Sequence, residues 1–201
     1  MTLHPDLGFL PGRAHEICGP ARRSLAVWIA GRMTGPVLWI APAWEGARLH
    51  PGGLTRFADP ARFLFVTPPR GEDLLWCAEE ALRAGTAPLV VTELPEPPAL
   101  TPVRRLHLAA ERGAGSVDMP PLGLLLTPGD GGAQGVESRW HMAPAHDATT
   151  RRWRLERRRA RALPPKGWTL TQPGPRTAPE LVSEPVSTPA STPVSTGPTI
   201  A

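Results

Sequence analysis

Glu16-Ile-Cys-Gly-Pro-Ala-Arg-Arg-Ser-Leu-Ala-Val-Trp-Ile-Ala30 is the stretch on which the fold turns. An apolar run ends at Cys18, a Gly-Pro pair breaks it, and apolar residues then recur at helical spacing from Leu25, so the segment reads as strand, turn and helix. A phosphate loop at such a turn requires G-x-x-x-x-G-K-[ST], because its backbone N–H groups wrap the phosphates, its Lys neutralises them and its hydroxyl holds Mg²⁺. Here the turn keeps Gly19 and continues with Pro20, which has no N–H, and then Ala21, Arg22, Arg23 and Ser24, with neither the second Gly nor the Lys. The reading is a degenerate phosphate loop, with no nucleotide cofactor and no enzymatic activity expected.

The same alternation extends outward. Val37–Ala41, Phe63–Val66, Leu89–Thr92 and Leu122–Leu126 are continuous apolar runs of strand length, as central strands of a parallel sheet require. Between them, residues 71–84 place Leu74, Ala78, Ala81 and Leu82 on one helical face, with Glu79 and Arg83 four apart and Gly85 beyond the end. Thr101-Pro102 reads as a helix start and Gly113 as its stop. After the Gly-rich stretch 129–135, the segments 138–143, 151–157 and 167–170 suggest two or three antiparallel strands at one edge. The expected fold class is α/β, a mostly parallel sheet flanked by helices with antiparallel C-terminal edge strands. A domain over 1–171 is expected, followed at 172–201 by a Pro/Ser/Thr-rich tail too poor in apolar groups to offset its ordering entropy.

The chain has 201 residues and a formal net charge of +4, but the charge is uneven: residues 151–166 carry eight cations against Glu156. Such a cluster is the footprint of an anionic partner, or simply a solvated face of an Arg-rich chain that has only one Lys. Cys18 and Cys77 are too isolated for a metal or redox motif and read as small core groups. His141 and His146 have no completing ligands, so no metal is expected. No leader or membrane-spanning run is evident, which predicts a cytoplasmic protein.

In order and texture these pieces resemble the RecA/RadA superfamily, and most closely the ImuA family, the RecA-like accessory proteins of bacterial damage-induced mutagenesis. The resemblance is carried by the Gly-Pro loop at 19–20, by Gly71-Glu-Asp-Leu-Leu-Trp-Cys-Ala-Glu-Glu-Ala-Leu-Arg-Ala-Gly85 followed by Leu89–Glu93, and by Trp153–Arg157 with Ala162-Leu-Pro-Pro-Lys166. It implies a non-catalytic role in SOS-induced translesion synthesis, beside an ImuB-like inactive Y-family polymerase relative and an error-prone polymerase. RecA and DNA are further candidate partners; a membrane is not. The alternative is a division inhibitor of the SulA type, which binds the tubulin-like division protein.

On that resemblance, Glu93 stands where RecA ATPases end a strand in an Mg²⁺-orienting Asp, and Glu45 is a relic of the water-activating base. Gly131 and Gly132 lie in the place of a DNA-binding loop. Arg151, Arg152, Arg154 and Arg158 are the phosphate-contact candidates, since alternation along an edge strand gathers guanidinium groups on one face. Of the seven Trp residues, Trp44 and Trp140 are expected to be exposed and the others to pack in the core.

Overall fold

In a computed structural model of the chain, residues 7–114, 120–174 and 180–183 are described. The strand-turn-helix stretch forms β1 (Ala14–Cys18) and α1 (Arg22–Gly31). It is followed by β2 (Val37–Ile40), α2 (Pro51–Leu54), β3 (Phe63–Val66), α3 (Gly71–Ala84), β4 (Leu89–Glu93), α4 (Leu100–Gly113) and β5 (Leu122–Leu126). The C-terminal strands are β6 (Ser138–Pro144), β7 (Arg151–Ala160), β8 (Lys166–Gln172) and β9 (Glu180–Ser183). All nine described strands join one sheet in the order β3-β2-β4-β5-β1-β6-β7-β8-β9. Pairings from β3 to β6 are parallel, and those from β6 to β9 are antiparallel. The fold is therefore a mixed α/β sheet with antiparallel C-terminal strands, flanked by helices.

Helix α1 covers one face and α3 with α4 the other, because period-two alternation sends Trp39, Val91, Leu124 and Ile17 one way and Ile40, Val90 and Leu125 the other. All six residues Leu25–Ala30 are buried. A helix apolar on every side must be covered on every side, and Leu49, Leu54, Phe57 and Ala58 cover α1 on the side away from the sheet. Helix α3 buries Leu74, Ala78 and Leu82, as its spacing predicts, and ends at Gly85 in the left-handed conformation (φ 65°). A Cβ at Gly85 would stand 2.4 Å from the Gly113 carbonyl oxygen, so the ends of α3 and α4 approach too closely for a side chain.

Several expectations are corrected. β3 is an edge strand rather than a central one, which leaves Leu64 and Phe65 exposed. α4 begins after Ala99, so Thr101 and Pro102 lie inside its first turn and Thr101 is not the cap. β7 lies inside the sheet, because β8 and β9 add beyond it. Ordered sheet continues past residue 171, since Gln172 ends β8 and Glu180–Ser183 form β9 on its flank. Residues 175–179 and 184–201 of the expected tail lie outside the described residues. Trp140 is fully buried against Phe9 and Trp168, whereas Trp76 joins Trp44 as an exposed ring. No helix among the described residues is long and apolar enough to cross a membrane.

Candidate functional site

Between β1 and α1 only Gly19, Pro20 and Ala21 intervene, and their N–H groups already have partners. Gly19 N–H donates to the Gly129 carbonyl (2.9 Å), Ala21 N–H to the Met142 carbonyl (3.0 Å) and Arg22 N–H to the Gly19 carbonyl (3.2 Å). Pro20 contributes none. Gly19 has φ 87°, and a Cβ there would meet Met142 O at 2.6 Å and His141 Nε2 at 2.7 Å. The turn is thus folded down onto the end of β6, where a phosphate loop would present a ring of free amides.

The first turn of α1 carries the charge that remains. Arg23 reaches across to Glu93 at the end of β4, donating from Nε (2.8 Å) and closing an ion pair at 2.6 Å. Trp39 Nε1–H donates to the other Glu93 oxygen (2.8 Å). Both oxygens of the expected Mg²⁺-orienting carboxylate are therefore held by side chains of this chain. Glu45 is exposed on the loop after β2 and, with Glu93, Trp39 and Phe65, lines a cavity of about 200 Å³.

Glu16, near the middle of β1, has no role legible in the sequence. It is fully buried and ties down the Gly-rich loop. Its Oε1 accepts from the Thr127 hydroxyl (2.7 Å) and from the N–H groups of Gly132 (2.8 Å) and Ala133 (3.0 Å), while its Oε2 pairs with Arg139. Gly131 N–H donates to the Pro128 carbonyl (3.2 Å). The amides expected to follow a nucleic-acid backbone at Gly131 and Gly132 are turned inward. A carboxylate amid a buried parallel strand was the one signal, and its partner could not be read from spacing, since Arg139 is far away in the chain.

The arginines of β7 separate into distinct roles. Arg152 pairs with Asp147 (3.0 Å), Arg154 with Glu156 (2.9 Å), and Arg158 with both Asp130 (2.7 Å) and Glu156 (3.1 Å). A bulge, in which Arg159 faces Arg139 and Arg157 faces Trp140, leaves Arg158 as the extra residue. Arg157 is buried, its guanidinium 5.6 Å from the Trp140 ring and 5.3 Å from that of Trp168. The expected single basic face is therefore a set of ion pairs plus one core cation. Its acids come from elsewhere in the chain as well as from β7. Arg151 is exposed at the start of β7 and lines a second cavity together with Arg23 and Ser24.

Burial shifts the thiol and the imidazole nearby, and an ion pair shifts the exposed carboxyl. Cys18, donating to the Trp140 carbonyl, is pushed up to about 11 by burial and then by the neighbouring Glu16 charge. His141, which stands between Asp130 and Glu156, is held below the ordinary imidazole range chiefly by burial. The Arg158 hydrogen bond keeps Asp130 below the usual carboxylate range.

No protein-family model matches the chain, and no curated protein matches it. Among solved structures, the crystal structure of SulA from Pseudomonas aeruginosa aligns with 57% of this chain and 98% of its own, at 21% identity and a TM-score of 0.44. A likeness of that size carries no conclusion about what this chain does.

Proposed function

We propose that this protein is a non-catalytic accessory scaffold acting at damaged DNA during SOS-induced translesion synthesis. In that role it holds an inactive Y-family polymerase-like partner and an error-prone polymerase, with RecA and DNA within reach of the same assembly. One observation supports the scaffold reading above others: the turn where a nucleotide's phosphates would sit has its amides bonded to carbonyls of the same chain. Phosphoryl transfer depends on positioned positive charge and free donors around the phosphates. Here Arg23, in the first turn of α1, is instead neutralised by Glu93.

Calorimetry with ATP and Mg²⁺ is expected to give no affinity tighter than about millimolar, a gain too small to reopen the turn. Micromolar binding would replace the scaffold with a nucleotide-dependent switch.

The partner is tested by affinity purification from DNA-damaged cells. Enrichment of a Y-family-like polymerase, together with loss of damage-induced mutagenesis on gene deletion and normal growth otherwise, is the expected result. Enrichment of the tubulin-like division protein, with filamentous cells on overexpression, would instead establish the division-inhibitor alternative.

A further inference from the structure

A cavity of about 290 Å³ lies between the start of α1, the covering segment 49–57 and the first residue of β7. Its apolar lining comes from Val27, Leu49, Leu54 and Phe57. Arg23 from α1, Arg56 from the turn after α2 and Arg151 from β7 supply guanidinium groups, Ser24 adds a hydroxyl, and His50 adds an imidazole. Among the described residues, no carboxylate lines it. Arg23 is committed to Glu93, but the guanidinium groups of Arg56 and Arg151 make no ion pair or hydrogen bond among the described residues. That distinguishes them from Arg152, Arg154 and Arg158, each held by an acid. His50 Nδ1 accepts from Gly52 N–H (3.1 Å), so the neutral ring carries its proton on Nε2 and has a donor left over.

Two unpaired guanidinium groups beside a cavity without acids call for an anion, and the apolar lining calls for a flat or apolar group attached to it. The cavity's size suits one nucleotide unit, and aromatic lining with arginine is how single strands are held without sequence preference. A nucleoside triphosphate fits poorly, since the adjoining turn offers no free amides and Arg23 is neutralised.

We propose that this cavity is a single-stranded nucleic-acid site. It takes one base against the lining that includes Phe57, and a phosphodiester between Arg56 and Arg151, with Arg23, Ser24 and His50 beside it. This rests on the reading of the chain as a protein acting at damaged DNA and moves the phosphate contacts from the middle of β7 to its first residue and the α1 cover.

The test is fluorescence anisotropy with a labelled oligothymidylate of about 16 nucleotides, the upper range of a small single-strand site. Wild-type protein is expected to bind, with log affinity falling linearly with log salt. Arg56→Gln with Arg151→Gln should weaken binding about tenfold or more at low salt and shrink the salt slope by about 1.4, the value for two phosphate contacts on a single strand. Arg104→Gln with Arg112→Gln, on the opposite helical layer, should change affinity less than about twofold, and melting curves of both variants should match wild type, because all four side chains are exposed. Absence of oligonucleotide binding by the wild type, an unchanged slope in the first double variant, or equal losses in both would overturn the site. Polyglutamate competing as well as the oligonucleotide would also overturn it, in favour of an acidic peptide. None of these outcomes touches partner capture from damaged cells, so the site and the scaffold role can fail separately.

Discussion

Glu16→Ala is expected to destabilise the protein by about 3–5 kcal/mol, the usual cost of leaving one member of a buried ion pair unmatched. The substitution strands more than Arg139. Thr127 and the amides of Gly132 and Ala133 lose their shared acceptor inside the protein, where no water replaces it at low cost. For a domain of this size the melting temperature should fall by roughly 6–20 °C. Glu16→Gln keeps an acceptor for the hydroxyl and amides but leaves the guanidinium without its counter-charge, so its loss should be intermediate. Hydrogen exchange at Gly132 and Ala133 should quicken in both variants under native conditions. A loss below about 1 kcal/mol would mean that the loop at 129–135 closes without this carboxylate. Pairing Glu16→Met with Arg139→Met separates the two contributions, and the double variant should cost less than the two single ones added together.

Stability should also fall as the solution is acidified from pH 6.5 toward 4, largely through His15. The His15 ring is buried, and burial pushes its pKa down to about 4. Its surroundings suit only the neutral form. Nε2–H donates to the Leu10 carbonyl (3.1 Å), Ser138 Oγ–H donates to Nδ1 (2.7 Å), and Trp140 Nε1–H donates to Ser138 Oγ (2.7 Å). The unfolded chain takes up a proton near pH 6.5, whereas the folded one does so only near 4. Between those values the unfolded state binds more protons, so the contribution is complete above about 6.5 and gone below about 4. At ~1.4 kcal/mol per pH unit it amounts to about 3 kcal/mol. His107 and His141 are held low by burial as well and act in the same direction. Urea unfolding at several pH values should show a steeper loss in the wild type than in His15→Leu, whatever the absolute stability of that variant. Identical slopes would remove His15 from the account.

The elements that were legible are those whose signal is local. Residues 71–84 carry their own periodicity, their own i, i+4 pair and their own terminal Gly, and they form α3 over those residues. The strands at 37–40, 89–93 and 122–126 are apolar on both faces because helices cover both, and that shows as unbroken runs. The run at 63–66 has the same texture but sits at the edge, since strand order is set by crossovers and not by composition. Trp140 was misplaced because a ring beside a Gly-rich loop in sequence is packed by Phe9 and Trp168, from the two ends of the described chain.

The missing Lys and second Gly at residues 19–24, the α/β alternation and the concentration of cations at 151–166 are determined by the amino-acid sequence alone. Each follows from residue identity or near-neighbour spacing. Which cations stay free was decided only in three dimensions. Arg158 meets Asp130 from the Gly-rich loop, Arg23 meets Glu93 across the sheet, and Arg56 joins Arg151 at a shared cavity. A charge's partner is whichever opposite group the sheet order brings within a few ångströms, and Coulomb attraction at that range outweighs any bias from position along the chain.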